Sequence, residues 1–478
     1  MENNTGNGQN NYQTTPCHEI DYDRALPIVI GQIFTYGDLF TKLSFLIMGF
    51  SNIIRGQIIK GFVFLLTEVM FFYYLLMENG GVYHLGRLIT LGTTPASQAD
   101  GPFGQIIYND DSRKCLLFGI ATIIIIFAFI ALWAESLRSG YEAQYFVAKG
   151  KRPNSFYRDI QIYFDKKIYR TLLFLPIVGV LTFTVTPIIF MICIGFTNYN
   201  MEHNGYTRLI DWTGFDMFGK VLNMGGDSDG GVNMFSHTFW TVLGWTLIWA
   251  VATTFLCYIF GMILAMVINR KGIKYKKFWR TLFITSVAVP QFVSLLIMRS
   301  FLSEFGLLNS VLRNIGISNP PNWLGESNLA KVVVIVINLW VGIPYTMLIT
   351  TGILMNIPAE LYEAAKVDGA NAVTTFFKIT LPYMIFVTTP YLIQQFIGNI
   401  NNFNVIYLLT GGGPNLDPDK YQAGDTDLLV TWLYKLTMDS KDYNLASVIG
   451  ILIFVLSATF SLITYRSSGS YKNEEEFQ

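Results

Sequence analysis

The stretch Glu363-Ala364-Ala365-Lys366-Val367-Asp368-Gly369, followed by Ile379-Thr380-Leu381-Pro382, decides how this chain is interpreted. Pro358 can open a helix there, and the residues Ala359–Val367 are good helix formers. Gly369 suits the left-handed backbone position that ends a helix. A second short helix is expected over 372–378. The stretch therefore predicts two polar helices joined by a tight turn, in a loop between two strongly apolar segments.

The composition around that loop is typical of a membrane protein. The 478 residues are 52% hydrophobic and only 14% charged, with a mean hydropathy of +0.40, whereas soluble domains carry about a quarter charged residues. The net charge of +0 gives no argument for binding nucleic acid. Residues 1–20 are rich in Asn, Gln and Thr and lack a basic start, so we interpret them as a disordered cytoplasmic tail rather than a signal peptide.

Apolar runs long enough to cross a bilayer, about 20 residues each, recur along the chain. They predict an all-α, polytopic membrane protein with about eight transmembrane helices. The candidate spans are 60–77, 115–133, 171–195, 239–268, 281–303, 332–356, 382–401 and 445–465. The segment 28–56 is also apolar, but glycines and charged residues interrupt it. It therefore fits an interfacial helix or a shallow insertion better than a span.

The basic residues alternate between the loops that join these spans. Loops 134–170 and 269–280 are rich in Lys and Arg, whereas loops 196–238 and 304–331 hold few. By the positive-inside rule, this alternation predicts that both termini lie in the cytoplasm. The loop that contains Glu363 is predicted to lie on the same side.

Signals for catalysis are weak. The four cysteines and four histidines are scattered, without the spacing of a metal site, a disulfide framework or a catalytic cluster. A phosphate-binding P-loop needs Gly-Lys followed by Ser or Thr, but Gly150-Lys151 and Gly219-Lys220 are followed by Arg and Val. We therefore expect no catalytic residue, no metal and no cofactor bound by this chain. Glu68, within the first span, is expected to face another helix rather than to relay protons.

The pattern Glu363-Ala364-Ala365, Gly369, Ile379 and Leu381-Pro382 resembles the signature loop in the permease subunits of bacterial ABC importers. In that family the loop is the coupling helix, which docks into a cleft on the ATP-hydrolysing subunit. The resemblance implies that a separate ATPase, which binds ATP and Mg, contacts this loop. The residues implied in coupling are Glu363, Ala364, Ala365, Asp368 and Gly369. The helix pattern alone leaves an alternative open, an amphipathic helix lying on the lipid headgroups.

A wider resemblance, over roughly 171–466, is to the larger permease subunit of maltose and maltodextrin importers. It is carried by 338–345, by 396–403 and by Gly412-Gly413-Pro414. Two N-terminal spans before a six-helix permease core also fit that subunit. The resemblance implies four parts: a cytoplasmic tail with the interfacial segment (1–58), two spans with a basic loop (59–170), the core with its coupling loop at 358–380 (171–466), and a second cytoplasmic tail (467–478).

Asparagines within the predicted spans form the candidate site. Asn338, Gly342 and Tyr345 share one helix face, and Asn399 and Asn402 share another. An Asn in a span is costly unless it meets a partner or water, and its amide both donates to and accepts from sugar hydroxyls. In the maltose permeases the matching positions contact the sugar in the membrane cavity. Hydrogen bonding between helices, with Gly342 as a close-packing position, is the alternative.

Three further positions depart from the maltose pattern. Val287 and Gln291 stand where that pattern has a Tyr and a Ser lining the cavity, and Gly398 stands where it has a Phe. Trp340 and Tyr345 are candidates to stack on sugar rings. The departures imply a reshaped pocket, which argues against maltose itself but not against an oligosaccharide.

The resemblance implies the transmembrane subunit of an ATP-driven oligosaccharide importer in the cell membrane. The implied partners are a second permease subunit, two ATP-binding subunits, membrane lipid and an extracellular sugar-binding protein. The short outer loop 196–238 indicates the Gram-positive type, in which that binding protein is anchored by a lipid. The alternative is a self-sufficient secondary transporter or channel. It predicts inverted repeats and several ionisable residues at mid-membrane, and the core shows few.

Overall fold

The computed structural model describes residues 18–22, 25–94, 97–98, 106–107, 110–223, 234–270, 272–415 and 421–467. Helices dominate these residues, and the short strands β1 (Ser97–Gln98) and β2 (Ile106–Ile107) pair antiparallel. Seven helical stretches there are long and apolar enough to cross a membrane: Ile58–Leu76, Ser112–Ala148, Ile168–Ile194, Met234–Asn269, Ser327–Leu354, Ala372–Leu409 and Tyr443–Arg466. The chain is thus an all-α, multi-pass membrane protein. The parts 1–17 and 468–478 of the predicted tails lie outside the described residues.

Two compact units make up the fold, and the first comprises residues 1–191 and 203–211. Its helices are α1 (Leu26–Tyr36), α2 (Leu39–Leu43), α3 (Phe50–Ile54), α4 (Ile58–Leu76), α5 (Gly81–Thr90), α6 (Ser112–Ala148), α7 (Phe156–Phe164), α8 (Ile168–Val180), a π-helical turn (Leu181–Val185) and most of α9 (Thr186–Ile194). The predicted interfacial segment 28–56 forms α1, α2 and α3, none of which is long enough to cross a bilayer.

Small polar residues hold α2 and α3 against α6. Ser51 Oγ donates to the carbonyl oxygen of Gly140 at 2.9 Å, and Thr41 Oγ1 donates to Gln144 Oε1 at 2.8 Å. Short side chains let these backbones approach closely, as they do between membrane helices. We call the following buried set the clamp: Thr41, Ser44, Ser51, Asn52, Ser136, Ser139 and Gln144.

Glu68 has a backbone partner. Its Oε2 accepts a hydrogen bond from the N–H of Met48 at 2.8 Å, in the turn before α3. Beside it, a Cβ on Gly49 would lie 2.3 Å from the carbonyl oxygen of Gly61, so the turn lies directly on α4. Glu68 therefore bonds to a turn rather than to the facing helix that the sequence suggested.

The second unit comprises residues 192–202 and 212–478. Its helices are α10 (Asp216–Leu222), α11 (Met234–Asn269), α12 (Lys276–Ala288), α13 (Gln291–Phe301), α14 (Leu307–Asn314), α15 (Ser327–Leu354), α16 (Ala359–Val367), α17 (Ala372–Thr375), a π-helical turn (Phe376–Thr380), α18 (Leu381–Ile400), α19 (Phe403–Leu409), α20 (Leu429–Lys435), a π-helical turn (Leu436–Ser440) and α21 (Tyr443–Ser467). Its core surrounds Trp249 and Trp432, both fully buried.

The predicted span 281–303 is not one helix. The chain leaves α12 after Ala288, passes through extended backbone at Val289 and Pro290, and starts again as α13 at Gln291. Proline lacks an N–H and clashes with the preceding turn, and it pushes the residue before it out of the helical region. A single proline therefore turns the expected span into two shorter helices.

A buried ion pair anchors the loop between α19 and α20. Lys435 Nζ lies 2.6 Å from Asp427 Oδ2, and Asp427 also accepts from Gly424 N–H and from the hydroxyl of Thr431, each at 2.8 Å. A Cβ on Gly412 would lie 2.0 Å from Asp427 Oδ1, so any residue other than glycine would clash there. The ion pair between Asp427 and Lys435 therefore connects the loop after α19 to α20.

Candidate functional site

A cavity of about 580 Å³ lies in the second unit, where the α12–α13 break faces α15 and the end of α18. All nine residues proposed from the sequence line it: Val287, Gln291, Asn338, Trp340, Gly342, Tyr345, Gly398, Asn399 and Asn402. The structure thus brings together residues from three stretches of sequence, 287–294, 338–345 and 395–404. Whether they bind a substrate stays a prediction.

The break between α12 and α13 supplies one wall. Val289 and Pro290 line the cavity themselves, and Gln291 and Ser294 follow on the first turn of α13. An unbroken helix would have placed Val287 and Gln291 one turn apart on a single face. In the structure, the extended residues Val289 and Pro290 separate them, so they lie on two different helices.

Asn399 and Asn402 do not share a helix face, contrary to the expectation from their spacing. Helix α18 ends at Ile400, and Asn402 is the N-cap of α19, its Oδ1 accepting from Val405 N–H at 3.2 Å. Asn is among the residues most favoured at the N-cap. Asn402 therefore starts α19 and does not continue α18. Both asparagines still line the cavity.

The asparagines are also bonded to one another and to neighbouring helices. Asn402 Nδ2 donates to Asn338 Oδ1 at 3.3 Å, and Asn399 Nδ2 donates to Thr254 Oγ1 at 2.9 Å. The indole N–H of Trp249 donates to the backbone carbonyl of Asn399 at 3.1 Å. Asn338 and Asn399 are 5% and 3% exposed. Hydrogen bonding between helices, the alternative interpretation, therefore describes part of their role, and all three asparagines also line the cavity.

The two cavity glycines differ. A Cβ on Gly342 would lie 2.8 Å from Cys257 Sγ on α11, so this glycine permits close packing of α15 on α11 as well as lining the cavity. A Cβ on Gly398 would meet nothing within 4 Å. Gly398, rather than Gly342, is the position where a missing side chain leaves open volume.

The sequence analysis missed several lining residues: Ser294, Val341, Gln395, Asn401, Phe403 and Asn404. A signal existed for Gln395, which lies four residues before Asn399 and therefore on the same helix face. Asn401 lies within 396–403, a segment that carries the resemblance, and Asn404 directly follows that segment. Among the lining residues that the structure describes, none is charged. The cavity therefore offers amides, the hydroxyl groups of Ser294 and Tyr345, and aromatic rings.

The predicted polar loop has the expected local structure. α16 spans Ala359–Val367, and Gly369 has a φ of +73°, the left-handed conformation that ends the helix. Glu363, Ala364 and Asp368 are exposed. Ala365 is buried within the chain, at 8% exposure, so it packs inward and is not free to approach a partner. The second helix is shorter than expected: α17 ends at Thr375 and continues through a π-helical turn into α18.

Comparisons with known proteins bear on the whole chain. Residues 257–468 match the family described as "Binding-protein-dependent transport system inner membrane component". The chain is 34% identical over 434 residues to the galactooligosaccharides transport system permease protein GanP of Bacillus subtilis (strain 168), covering 90% of this chain and 97% of that protein. It is 31% identical over 439 residues to the maltodextrin transport system permease protein MdxF of the same strain, covering 90% and 95%.

A solved structure has the same fold. It is a chain of a bacterial ABC transporter involved in the import of the acidic polysaccharide alginate. The TM-score is 0.51 at 23% identity, covering 64% of this chain and 96% of that one. At this identity the likeness shows the architecture alone.

Proposed function

Because the chain belongs to the family of membrane-embedded permease components of binding-protein-dependent ABC transporters, we propose that it imports uncharged oligosaccharides through the cavity at the α12–α13 break. The observation that carries the proposal is the lining of that cavity, which gathers five asparagines and two glutamines and, among the described residues, no charged group. Amides offer donors and acceptors to hydroxyl groups, and exposed rings such as Tyr345 and Trp340 offer apolar faces to sugar rings.

The exposed face of α16 is the proposed site of energy coupling. Glu363, Ala364, Asp368 and Gly369 lie at the surface, and Val367 beside them is 87% exposed. Exposed residues on a loop that connects two spans are available to a partner, and loops commonly carry binding functions. ATP and Mg are proposed to bind on a separate ATPase, whose closure moves α16 and opens the cavity to each side of the membrane in turn.

The remaining partners follow from the transport role. A second permease subunit, two ATP-binding subunits and an extracellular binding protein that delivers the sugar complete the proposed complex. Support comes from a solved transporter of the same fold that was crystallised with an alginate pentasaccharide-bound periplasmic protein. Both termini are proposed to be cytoplasmic, and the binding protein to be lipid-anchored as in the Gram-positive type.

Reconstitution of the full complex in proteoliposomes tests the function. The binding protein is loaded in turn with maltotetraose, β-1,4-galactotriose or an alginate trisaccharide, and uptake and ATP hydrolysis are measured. We expect at least one neutral oligosaccharide to be taken up in an ATP-dependent manner, and the charged alginate fragment not to be taken up. Uptake that proceeds without ATP would instead support the secondary transporter.

Substitutions in the loop test the coupling surface separately. Gly369→Val places a β-branched residue at a φ of +73°, which only glycine adopts without strain. Glu363→Lys reverses an exposed charge. We expect each variant to lower ATPase co-purification or sugar-stimulated ATP hydrolysis by about tenfold, the effect of about 1.4 kcal/mol.

Gly272→Val is the matched control for the glycine substitution. Gly272 lies in another loop, and a Cβ there would meet nothing within 4 Å. It should leave coupling intact. Normal ATPase association and transport in both loop variants would refute the coupling role of α16.

A further inference from the structure

Helix α7 (Phe156–Phe164) lies at the level where three spanning helices begin or end. Asp159 Oδ2 on α7 is 2.9 Å from the Nζ of Lys60, which is the third residue of α4. Arg170, the third residue of α8, lies 3.7 Å from Glu135, which directly follows the apolar run of α6. Charged side chains at the ends of spanning helices lie at the boundary of the hydrocarbon. Helix α7 is therefore placed beside that boundary.

Two hydrogen bonds hold α7 in this place. The side chain of Gln57, the N-cap of α4, donates to the carbonyl oxygen of Asn154 at 2.8 Å, just before α7 begins. The hydroxyl of Thr171 on α8 donates to the carbonyl oxygen of Tyr163 at 2.9 Å. Both ends of α7 are thus bonded to spanning helices, which fixes the faces that α7 presents.

One face of α7 is apolar and exposed. Phe156, Ile160 and Phe164 follow one another at intervals of four residues, so they lie along one side of the helix. They are 41%, 37% and 65% exposed. Asp159 and Tyr163, on another side, are half-buried. An exposed apolar face at the hydrocarbon boundary suits the layer between lipid headgroups and acyl chains.

The segment around α7 has an excess of basic residues. Residues 149–170 hold seven Lys and Arg against two Asp, and one of these two, Asp159, is paired with Lys60. Four of the basic side chains are exposed and have no hydrogen-bond, ion-pair or ring partner among the residues that the structure describes: Lys151, Arg152, Arg158 and Lys166. The described part of the chain therefore supplies no anion to these four side chains.

We propose that α7 binds anionic phospholipids, with Phe156, Ile160 and Phe164 against the upper acyl chains and the unpaired Lys and Arg side chains on the headgroup phosphates. Long basic side chains lay their methylene groups on apolar surface while their charge reaches a phosphate. An anionic lipid meets both the apolar face and the unpaired cations, whereas a free phosphate meets only the cations. In the predicted orientation the lipid belongs to the cytoplasmic leaflet. The inference does not depend on which solute the chain transports.

Lipid binding by the full-length chain, purified in a neutral detergent, tests the proposal. The protein is titrated with fluorescently labelled phosphatidylglycerol, which is anionic, and with phosphatidylcholine, which has no net charge. We expect the apparent Kd for phosphatidylglycerol to be at least about tenfold lower, since each Lys or Arg near anionic lipid contributes about fivefold. Raising NaCl from about 50 to about 300 mM should reduce this preference, because salt screens exposed charges.

A triple variant tests whether the preference arises at α7. It changes three of the unpaired basic residues to Gln: Arg152, Arg158 and Lys166. We expect the preference for phosphatidylglycerol to fall to less than about threefold. The matched control changes three exposed basic residues of another loop to Gln: Arg270, Lys274 and Lys277. It should keep the preference of wild type. An equal loss in both triple variants would reflect net charge alone and would overturn a site at α7.

Phe164→Gln tests the apolar face. We expect it to weaken phosphatidylglycerol binding by about fivefold, because an apolar ring no longer leaves water on binding. Phe305→Gln, at a position in the second unit that is 81% exposed, should have no effect. A site for free phosphate would not depend on Phe164, so unchanged binding in Phe164→Gln would overturn the lipid as the ligand.

The remaining outcomes also decide the matter. Equal affinity of the wild-type chain for the two lipids would refute the proposal. If the α7 triple variant blocks co-purification of an ATPase or a second permease subunit but leaves lipid binding unchanged, the face is a protein interface and the proposal is wrong. Melting temperatures in the same detergent check folding. Should the triple variant unfold, Arg158→Gln replaces it and should lower the preference by about fivefold.

Discussion

In the clamp of the first unit, buried hydroxyl and amide groups bond across from α2 and α3 to α6, whereas the buried asparagines of the second unit line a cavity. Gln144 shows the first use: Oε1 accepts from both Thr41 and the backbone N–H of Asp38, and Nε2 donates to the carbonyl of Tyr36. Asn338 shows the second: its Oδ1 accepts from Asn402 Nδ2 at 3.3 Å, and the residue lines the cavity. Burial of a polar residue is therefore not in itself a sign of function.

The two regions differ in what surrounds their buried polar residues. The clamp has an unpaired atom, Oδ1 of Asn52, but it is enclosed by protein. Asn338, by contrast, lines a cavity of about 580 Å³. An unpaired polar atom costs about 1–3 kcal/mol when it is enclosed, and much less where water or a ligand reaches it. Substitutions in the clamp should therefore affect stability, and substitutions in the cavity should affect transport.

The largest expected effect is from Gly398→Trp in the cavity, a side chain larger than the Phe that the maltose pattern has at this position. The side chain would project into open space, since a Cβ there meets nothing within 4 Å. We expect uptake by the complex to fall by at least about 100-fold, while the melting temperature in detergent stays within a few degrees of wild type. Gly244→Trp on α11, also free of neighbours within 4 Å, is the control. Normal uptake by Gly398→Trp would show that the substrate does not pass through this cavity.

Gln144→Leu in the clamp should have the opposite signature. It leaves the N–H of Asp38 and the carbonyl of Tyr36 without their partner, which costs about 1–3 kcal/mol. We expect a melting temperature lowered by several degrees and normal uptake per folded complex. The exposed Gln161→Leu on α7 should change neither. A selective loss of uptake at unchanged stability would assign the clamp a role in transport.

The smallest effect concerns pH and Asp38, which caps α2 beside the clamp. Burial alone would raise the pKa of Asp38, but the N–H of Thr41 and the guanidinium of Arg55 at 2.6 Å outweigh it and hold the pKa below its ordinary 3.8. A depressed pKa contributes stability that is present above pH 3.8 and is lost as pH falls through the folded-state value.

Melting temperatures between pH 5 and pH 3 check this linkage. Asp38→Asn should lower the melting temperature at pH 5 and flatten its decline toward pH 3, because the variant has no carboxylate to protonate. Asp439→Asn, at an exposed position, should leave the decline as in wild type. Parallel declines for wild type and Asp38→Asn would remove Asp38 from the acid sensitivity of the clamp.

Local sequence signals predicted local structure well. The helix over Ala359–Val367 and the left-handed Gly369 were both expected from propensity and turn chemistry, and both are confirmed. Seven of the predicted spans coincide with long apolar helices. The prediction succeeds because a run of about twenty apolar residues matches the thickness of the bilayer core. The polar positions picked from spacing and resemblance do line one cavity. Their binding role stays a prediction.

Features that depend on distant neighbours were not predictable. The space beside Gly342 is limited by Cys257 on another helix, and the partner of Glu68 is a turn twenty residues away in the chain. The role of Asn402 as a cap depends on where α18 ends. Pro290 was visible in the sequence, but its effect was underestimated, since an apolar run of the right length was interpreted as one span.

The extended backbone at Val289 and Pro290 has a consequence for hydration. A helix end leaves backbone carbonyls or N–H groups without partners inside the helix, and hydrocarbon supplies none. Two such ends meet at the cavity wall. We therefore expect water to occupy the cavity when no substrate is bound and to form hydrogen bonds with these backbone groups. Under the proposed function, an arriving oligosaccharide would displace this water. Its hydroxyl groups would replace the hydrogen bonds that water made, and the difference between the two sets of bonds would contribute to the free energy of substrate binding.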